Sequence, residues 1–169
     1  VWCKHNIKQG TAKALIVNAG NANAFTGKAG EDTVLKTAHA AAQILNCKAD
    51  QVFISSTGVI GETLNAQLIT SALPQMNFAN DEAAWDKAAK AIMTTDLKQK
   101  IISKTCEIDG VKIALTGFAK GSGMIAPNMG TMLSFIVTDG VMESKYINKA
   151  LKKAANKSFN MIVVDGDES

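Results

Sequence analysis

Proline is scarce in this sequence, at two residues of 169, and aromatic side chains make up only 5% of it. No proline- or glycine-rich linker divides the chain and no internal repeat is present, so the length is that of one domain or a large piece of one. Cysteine is rare as well. Cys3, Cys47 and Cys106 are odd in number and far apart, with no CxxC and no Cys/His cluster at metal-ligand spacing. They are expected to be reduced and buried thiols in an intracellular, cytoplasmic protein. The two histidines, His5 and His39, are separated by a predicted strand and part of a helix, which argues against a histidine-based triad or metal site. No apolar run approaches the roughly 18 residues of a membrane helix, and no signal peptide is visible. Neither charge sign dominates: 18 basic and 15 acidic residues, spread along the chain, leave a net charge of +3. Without a basic stripe or aromatic-basic interleaving, no nucleic-acid partner is expected. The lysines between Leu151 and Lys157 read as a solvated helix face.

What the sequence does have is ordinary globular content, 47% hydrophobic and 20% charged, enough to bury a real core. Its most informative stretch is Lys120 to Asp139. Gly121, Gly123 and Gly130 make a flexible loop that runs into the β-branched, apolar run Thr131 to Thr138, which ends at Asp139-Gly140. The junction carries a hydroxyl, on Thr131. A threonine becomes a strong nucleophile when the peptide bond before it is cut, because its own α-amine, with a pKa of about 7.7 to 8.0, then sits beside the hydroxyl as a built-in base. Gly130, lacking a Cβ, lets that hydroxyl approach the preceding carbonyl for an N-to-O acyl shift. A plain loop-to-strand junction carries the same letters.

Taken in order, Ala12 to Asn18 is a short apolar run between Gly10 and Gly20 and reads as a buried strand. Asn18 to Gly27, with three asparagines, reads as a tight loop whose side-chain amides bond either backbone or a ligand. Gly30 to Cys47 has the spacing of an amphipathic helix packed through alanines. Gln51 to Ser56 is the next strand, running into Thr57-Gly58 before a helix from about Thr63 to Ala72 that stops at Leu73-Pro74. Hydroxyls and N–H groups at that point suit an oxyanion hole; they equally suit a turn whose hydroxyls cap the helix. Asn80-Asp81-Glu82 caps a helix from Ala83 to Met93, with Trp85, Ala88, Ala89 and Ile92 on one face, and Thr94-Thr95-Asp96 follows it. Lys100 to Ile108 and Val111 to Ala119 form a hairpin about Asp109-Gly110, and the second strand delivers Lys120 to the glycine loop. Lys120 is either a surface charge or a holder of a substrate carboxylate. Glu143 to Lys157 reads as an amphipathic helix with Tyr146, Ile147, Ala150, Leu151 and Ala154 inward, and Ser158 to Val164 as the strand after it.

The run from Lys120 to Leu133, KGSGMIAPNMGTML, strongly resembles the self-cleavage segment of the ornithine acetyltransferase family, also called glutamate N-acetyltransferase. NAGNANAFTG, the Thr57-Gly58 pair, the MTTD run ending at Asp96 and the segment from Phe159 to Asp167 resemble family motifs in the same order, so the likeness covers essentially the whole chain. It implies an α/β fold of layered mixed sheets with outer helices, an N-terminal-nucleophile-like arrangement with Thr131 at the start of an inner strand. It implies self-cleavage at Gly130-Thr131 and acetyl transfer from N-acetylornithine to glutamate through Thr131, in arginine biosynthesis. Thr57 and Gly58 would hold the oxyanion, and Thr94 and Lys120 would contact substrate. Thr95 and Asp96 are left as support at best, and Gly121, Ser122 and Gly123 as backbone geometry. No cofactor is implied, although some members accept acetyl-CoA as a donor.

On the same resemblance, residues 1–130 match the later part of a first (alpha) subunit and 131–169 the start of a second (beta) subunit, which stay together, as an alpha/beta heterotetramer at full length. Three departures stand out. Gly130 replaces the usual alanine, and the sequence runs straight through Gly130-Thr131 as one chain; Glu168, where a threonine or small residue is familiar, is only a minor difference. The chain is also shorter than a full member, lacking an N-terminal portion and most of the second subunit; both of its ends look cut, and left uncleaved it is expected to transfer no acetyl group. Two rivals share the same letters. One is a self-cleaving aminopeptidase or amidase that passes its acyl group to water; the other is an inert binding domain in which Thr131→Ala changes nothing.

Overall fold

The computed structural model describes residues 1–76, 79, 81–126 and 132–167. The chain forms two compact units, Val1–Asp81 and Glu82–Ser169. In the first, the apolar run after Lys13 becomes strand β1 (Ala14–Asn21), and β2 (Val52–Val59) pairs with it in parallel, from Ala14 opposite Val52 to Asn21 opposite Val59. Parallel strands need a crossover. Helix α2 (Gly27–Leu45) supplies it, and its Ala38, Ala41 and Ala42 recur at the spacing of one helical face. These small residues let the helix sit close against Val52, Leu64, Ile69 and Leu73 to make the unit's core. Val52 is fully buried, which contributes about 1.5 to 3 kcal/mol. The short helix α1 (Trp2–Asn6) is tied to β2: Trp2 Nε1 donates to the Val52 carbonyl at 2.9 Å, and Cys3 Sγ to that of Ile54 at 3.2 Å. Helix α3 (Ala66–Ala72) closes the unit, its first turn capped by Asn65, whose side chain accepts from the Gln67 N–H at 2.9 Å.

Both strands run further than their apolar cores predict. The pairing continues through Asn18, Ala19 and Gly20 on one side and Thr57 and Gly58 on the other, because cross-strand hydrogen bonding, not side-chain burial, holds these small residues. The predicted loop therefore starts after Asn21, Thr57-Gly58 is the end of a strand and no turn, and the following helix begins at Ala66 in place of Thr63.

In the second unit, helix α4 (Glu82–Ala91) leads to an antiparallel sheet ordered β3 (Lys100–Ile108), β4 (Val111–Lys120), β5 (Leu133–Thr138). Ile108 lies opposite Val111, so the connection is the two residues Asp109 and Gly110, at φ 51° and 78°, the positive pair that a tight hairpin requires. Trp85 of α4 packs on Phe118 of β4 with ring centroids 5.9 Å apart, and Phe118 on Phe135 of β5 at 5.4 Å. Ala89 and Ile92 are buried as well, as the spacing of this stretch predicts, although the helix ends at Ala91 and not at the expected Met93.

The last part departs from expectation. Helix α5 (Ser144–Asn156) forms, but Tyr146, Ile147 and Leu151 are 53%, 44% and 44% exposed and only Ala155 is buried. The amphipathic pattern is real; no described residue covers it. Ser158 to Val164 is not a strand: Phe159–Met161 is a 3-10 turn, and only single bridges join Ile125 to Val164 and Asp165. The three cysteines are free, but Cys106 is exposed on β3 and the others are half-buried, against the expectation of buried thiols. Among the described residues, no helix is long and apolar enough to cross a membrane.

Candidate active site

A polar cluster in the second unit joins the stretch after α4 to the end of β4. Lys120 is the last residue of β4, only 5% exposed, and its ammonium donates to Thr94 Oγ1 at 2.6 Å. A buried ammonium is costly without acceptors, so this bond across 26 positions of sequence is a built feature of the unit. Asp96 lies beneath it. Its Oδ1 accepts from the Gly121 N–H at 2.8 Å and from Lys100 Nζ, and its Oδ2 from the Thr94 N–H at 3.4 Å. The Asp96 side chain is fully buried, and burial on its own pushes the carboxyl's pKa up. The hydrogen bond from Lys100, those from the Gly121 and Thr94 N–H groups, and the Lys100 charge outweigh this and hold it below the ordinary value of 3.8. Asp96 is therefore an ionised anchor at neutral pH.

In the first unit, Thr57 and Gly58 follow one another at the end of β2, opposite Ala19 and Gly20. Gly58 has φ 131°, and a Cβ there would run into the backbone of Gly20 and Asn21. Only glycine fits this close crossing of two strand ends. Thr57 does not cap α3, a role that belongs to Asn65, so the capping explanation of the Thr-Gly pair fails. The asparagines of the NAGNANAFTG stretch serve the backbone: Asn18 Nδ2 donates to the Asn21 carbonyl at 2.8 Å, Asn21 Nδ2 to that of Glu62 at 3.0 Å, and Asn23 Nδ2 to that of Gly30 at 2.9 Å. Asn23 Oδ1 in turn accepts from Thr26 Oγ1 at 2.7 Å, bracing the start of α2. A cavity of about 680 Å³ opens beside this stretch, between Trp2, Phe25, Leu35 and Ser56, and neither Thr57 nor Gly58 lines it.

The whole chain, residues 1–169, matches the ArgJ family model. The chain belongs to the ArgJ family. It is 46% identical over 167 residues to the arginine biosynthesis bifunctional protein ArgJ of Rhizobium meliloti, covering 99% of this chain and 40% of that protein. It is 45% identical over 168 residues to that of Agrobacterium fabrum, covering 41% of it. Among solved structures it resembles the arginine biosynthesis bifunctional protein of Bacillus halodurans, at 34% identity and a TM-score of 0.72, over 78% of this chain and 68% of that one. It also resembles the ornithine acetyltransferase of Mycobacterium tuberculosis complexed with ornithine, at 30% identity and a TM-score of 0.64, over 78% and 69%. The chain thus spans about two fifths of the length of the curated relatives it matches.

Of the residues singled out from sequence, Thr94 and Lys120 are brought into direct contact, and Thr57 and Gly58 share one strand end. Gly130 and Thr131 lie outside the described residues, as do Asn80 of the proposed helix cap and Glu168. Sequence reasoning undervalued Asp96. A carboxylate five residues past the end of α4 at Ala91 looks like surface; its buried bond to Gly121 is a long-range contact that no local spacing reports.

Proposed function

We propose that this chain is the part of an acetyltransferase that cuts itself at Gly130-Thr131 and carries the acetyl group on Thr131, moving it from N-acetylornithine to glutamate in arginine biosynthesis. After the cut, the Thr131 α-amine takes the proton of its own hydroxyl as the oxygen attacks the acetyl carbonyl. The Thr57 hydroxyl and the Gly58 N–H donate to the oxyanion that forms. As the tetrahedral intermediate collapses, the carbon–nitrogen bond breaks, ornithine leaves with the proton, and Thr131 is left as an acetyl ester. The glutamate amine then attacks the ester, taking the acetyl group and returning the proton to the threonine oxygen. Lys120 holds the substrate carboxylate and Thr94 contacts the substrate beside it. No resident cofactor is needed, since Thr131 holds the acetyl group itself; acetyl-CoA would enter only as a second donor. The pieces 1–130 and 131–169, with their continuations, form alpha and beta subunits of a cytoplasmic heterotetramer.

The observation that carries this reading is the bond between Lys120 and Thr94, two residues assigned separately to substrate contact and found 2.6 Å apart. Membership of a family whose relatives include an ornithine acetyltransferase crystallised with ornithine supports it. The test is the intact mass of the protein at full family length, denatured, beside its Thr131→Ala variant. Two species meeting at Gly130 and Thr131 in the parent, one uncut species in the variant, and acetylglutamate formed from acetylornithine are expected. A parent that stays uncut, or acetate released without dependence on glutamate, overturns the proposal, the latter in favour of an amidase.

A further inference from the structure

Thr94 and Lys120 come from different stretches of chain, and a contact between two such side chains lasts only as long as something holds their backbones. Lys120 ends β4, where sheet pairing stops at Leu133. Thr94 lies outside any helix or strand, past the end of α4. The group that joins the two is Asp96. Its carboxylate accepts from the N–H of Gly121, the residue after Lys120, at 2.8 Å, and from the N–H of Thr94 itself, at a long 3.4 Å. Lys100 Nζ, from the start of β3, completes the set at 2.5 Å. An ionised carboxylate has about four acceptor positions, and three here take donors from three separate places in the chain. The charge-assisted bond to Gly121 is short and fully buried, the kind that costs most to break.

We propose that Asp96 is the positioning residue of the substrate-binding pair: by holding the first residue of the glycine loop to the turn after α4, it sets the placement of Thr94 against Lys120 and so the affinity for the acetylated amino acid. This rests on the reading of Thr94 and Lys120 as substrate contacts. Asp96 touches no substrate and takes no part in proton transfer.

The test is a double-mutant cycle in the protein at full family length, measuring kcat and KM for N-acetylornithine in the parent, Asp96→Asn, Thr94→Val and the double variant. Asparagine keeps the shape but supplies one acceptor oxygen and an NH2 group that faces the same donors. The expected result is a KM raised about ten- to a hundredfold by Asp96→Asn with kcat within about threefold, and little further increase when the same change is made on Thr94→Val. A KM unchanged by Asp96→Asn, or raised by the same factor in both backgrounds, overturns the inference while leaving the acetyl-transfer reading intact. A parent that forms no acetylglutamate overturns both. Should Asp96→Asn fail to fold, Asp96→Glu carries the same cycle: it keeps the charge but lengthens the reach by a methylene, and the same suppression by Thr94→Val is expected of it.

Discussion

At the scale of single residues, Gly58 and Asp96 are each held by a setting that few substitutes fit. Gly58 combines a φ of 131° with backbone contact across to Gly20, and both reject a side chain. Backbone held in such a region costs a non-glycine residue about 1 to 3 kcal/mol before any clash is counted. Gly58→Ala is therefore expected to lower stability by at least that much, read as a lower urea midpoint at unchanged slope, whereas Gly61→Ala, at φ 87° with open space around it, should show only the conformational part. Asp96 illustrates the opposite case, a residue whose letter is common and whose setting is rare. The chain has lysine but no arginine, so Lys100 and Lys120 supply the cations of this cluster as point charges rather than planar forks. That makes the backbone N–H of Gly121 the directional partner of the carboxylate.

At the scale of elements, local chemistry was legible wherever an element ends on a strong signal. The Asp109-Gly110 hairpin falls where its turn residues put it, because two consecutive positive φ values leave few alternatives. Helix α2 forms from its alanine spacing, starting three residues early because Asn23, Thr26 and Gly30 brace its first turn. Helix α3 is shorter than predicted, at seven residues, and depends on its cap. Asn65→Ala is expected to cost about 1 kcal/mol, measured by thermal unfolding of the protein at full family length, with Asn65→Ser or Asn65→Asp restoring most of it. What was not legible was the extent of pairing. Nothing in Asn18-Ala-Gly-Asn or Thr57-Gly-Val says that the two stretches continue a parallel ladder; each is held by the other, about 40 positions away along the chain.

At the scale of the whole molecule, several large apolar side chains among the described residues stand exposed. Tyr146, Ile147 and Leu151 of α5, with Ile102 of β3 and Val163 near the end, remain 44% to 59% exposed. Exposed apolar faces of this kind mark surfaces that bind further protein. The 169-residue chain alone is expected to bind a hydrophobic fluorescent dye strongly, and Ile147→Lys with Leu151→Glu to reduce the signal without changing helix content by circular dichroism. Weak dye binding by the parent chain would show that these faces are covered within it. The same reasoning explains why the inward face predicted for α5 is found uncovered: periodicity states that a face is apolar, not what lies against it.

The sequence by itself determined the α/β class, the alanine-packed crossover helix, the hairpin and, through its motifs, the family, since each depends on nearest neighbours or on a run of letters long enough to identify. Only the tertiary structure decided that Thr57 and Gly58 finish a strand, that Lys120 reaches Thr94, and that Asp96 lies buried beneath both. Those facts rest on hydrogen bonds between residues far apart in the chain, whose partners become available only once the sheets have formed.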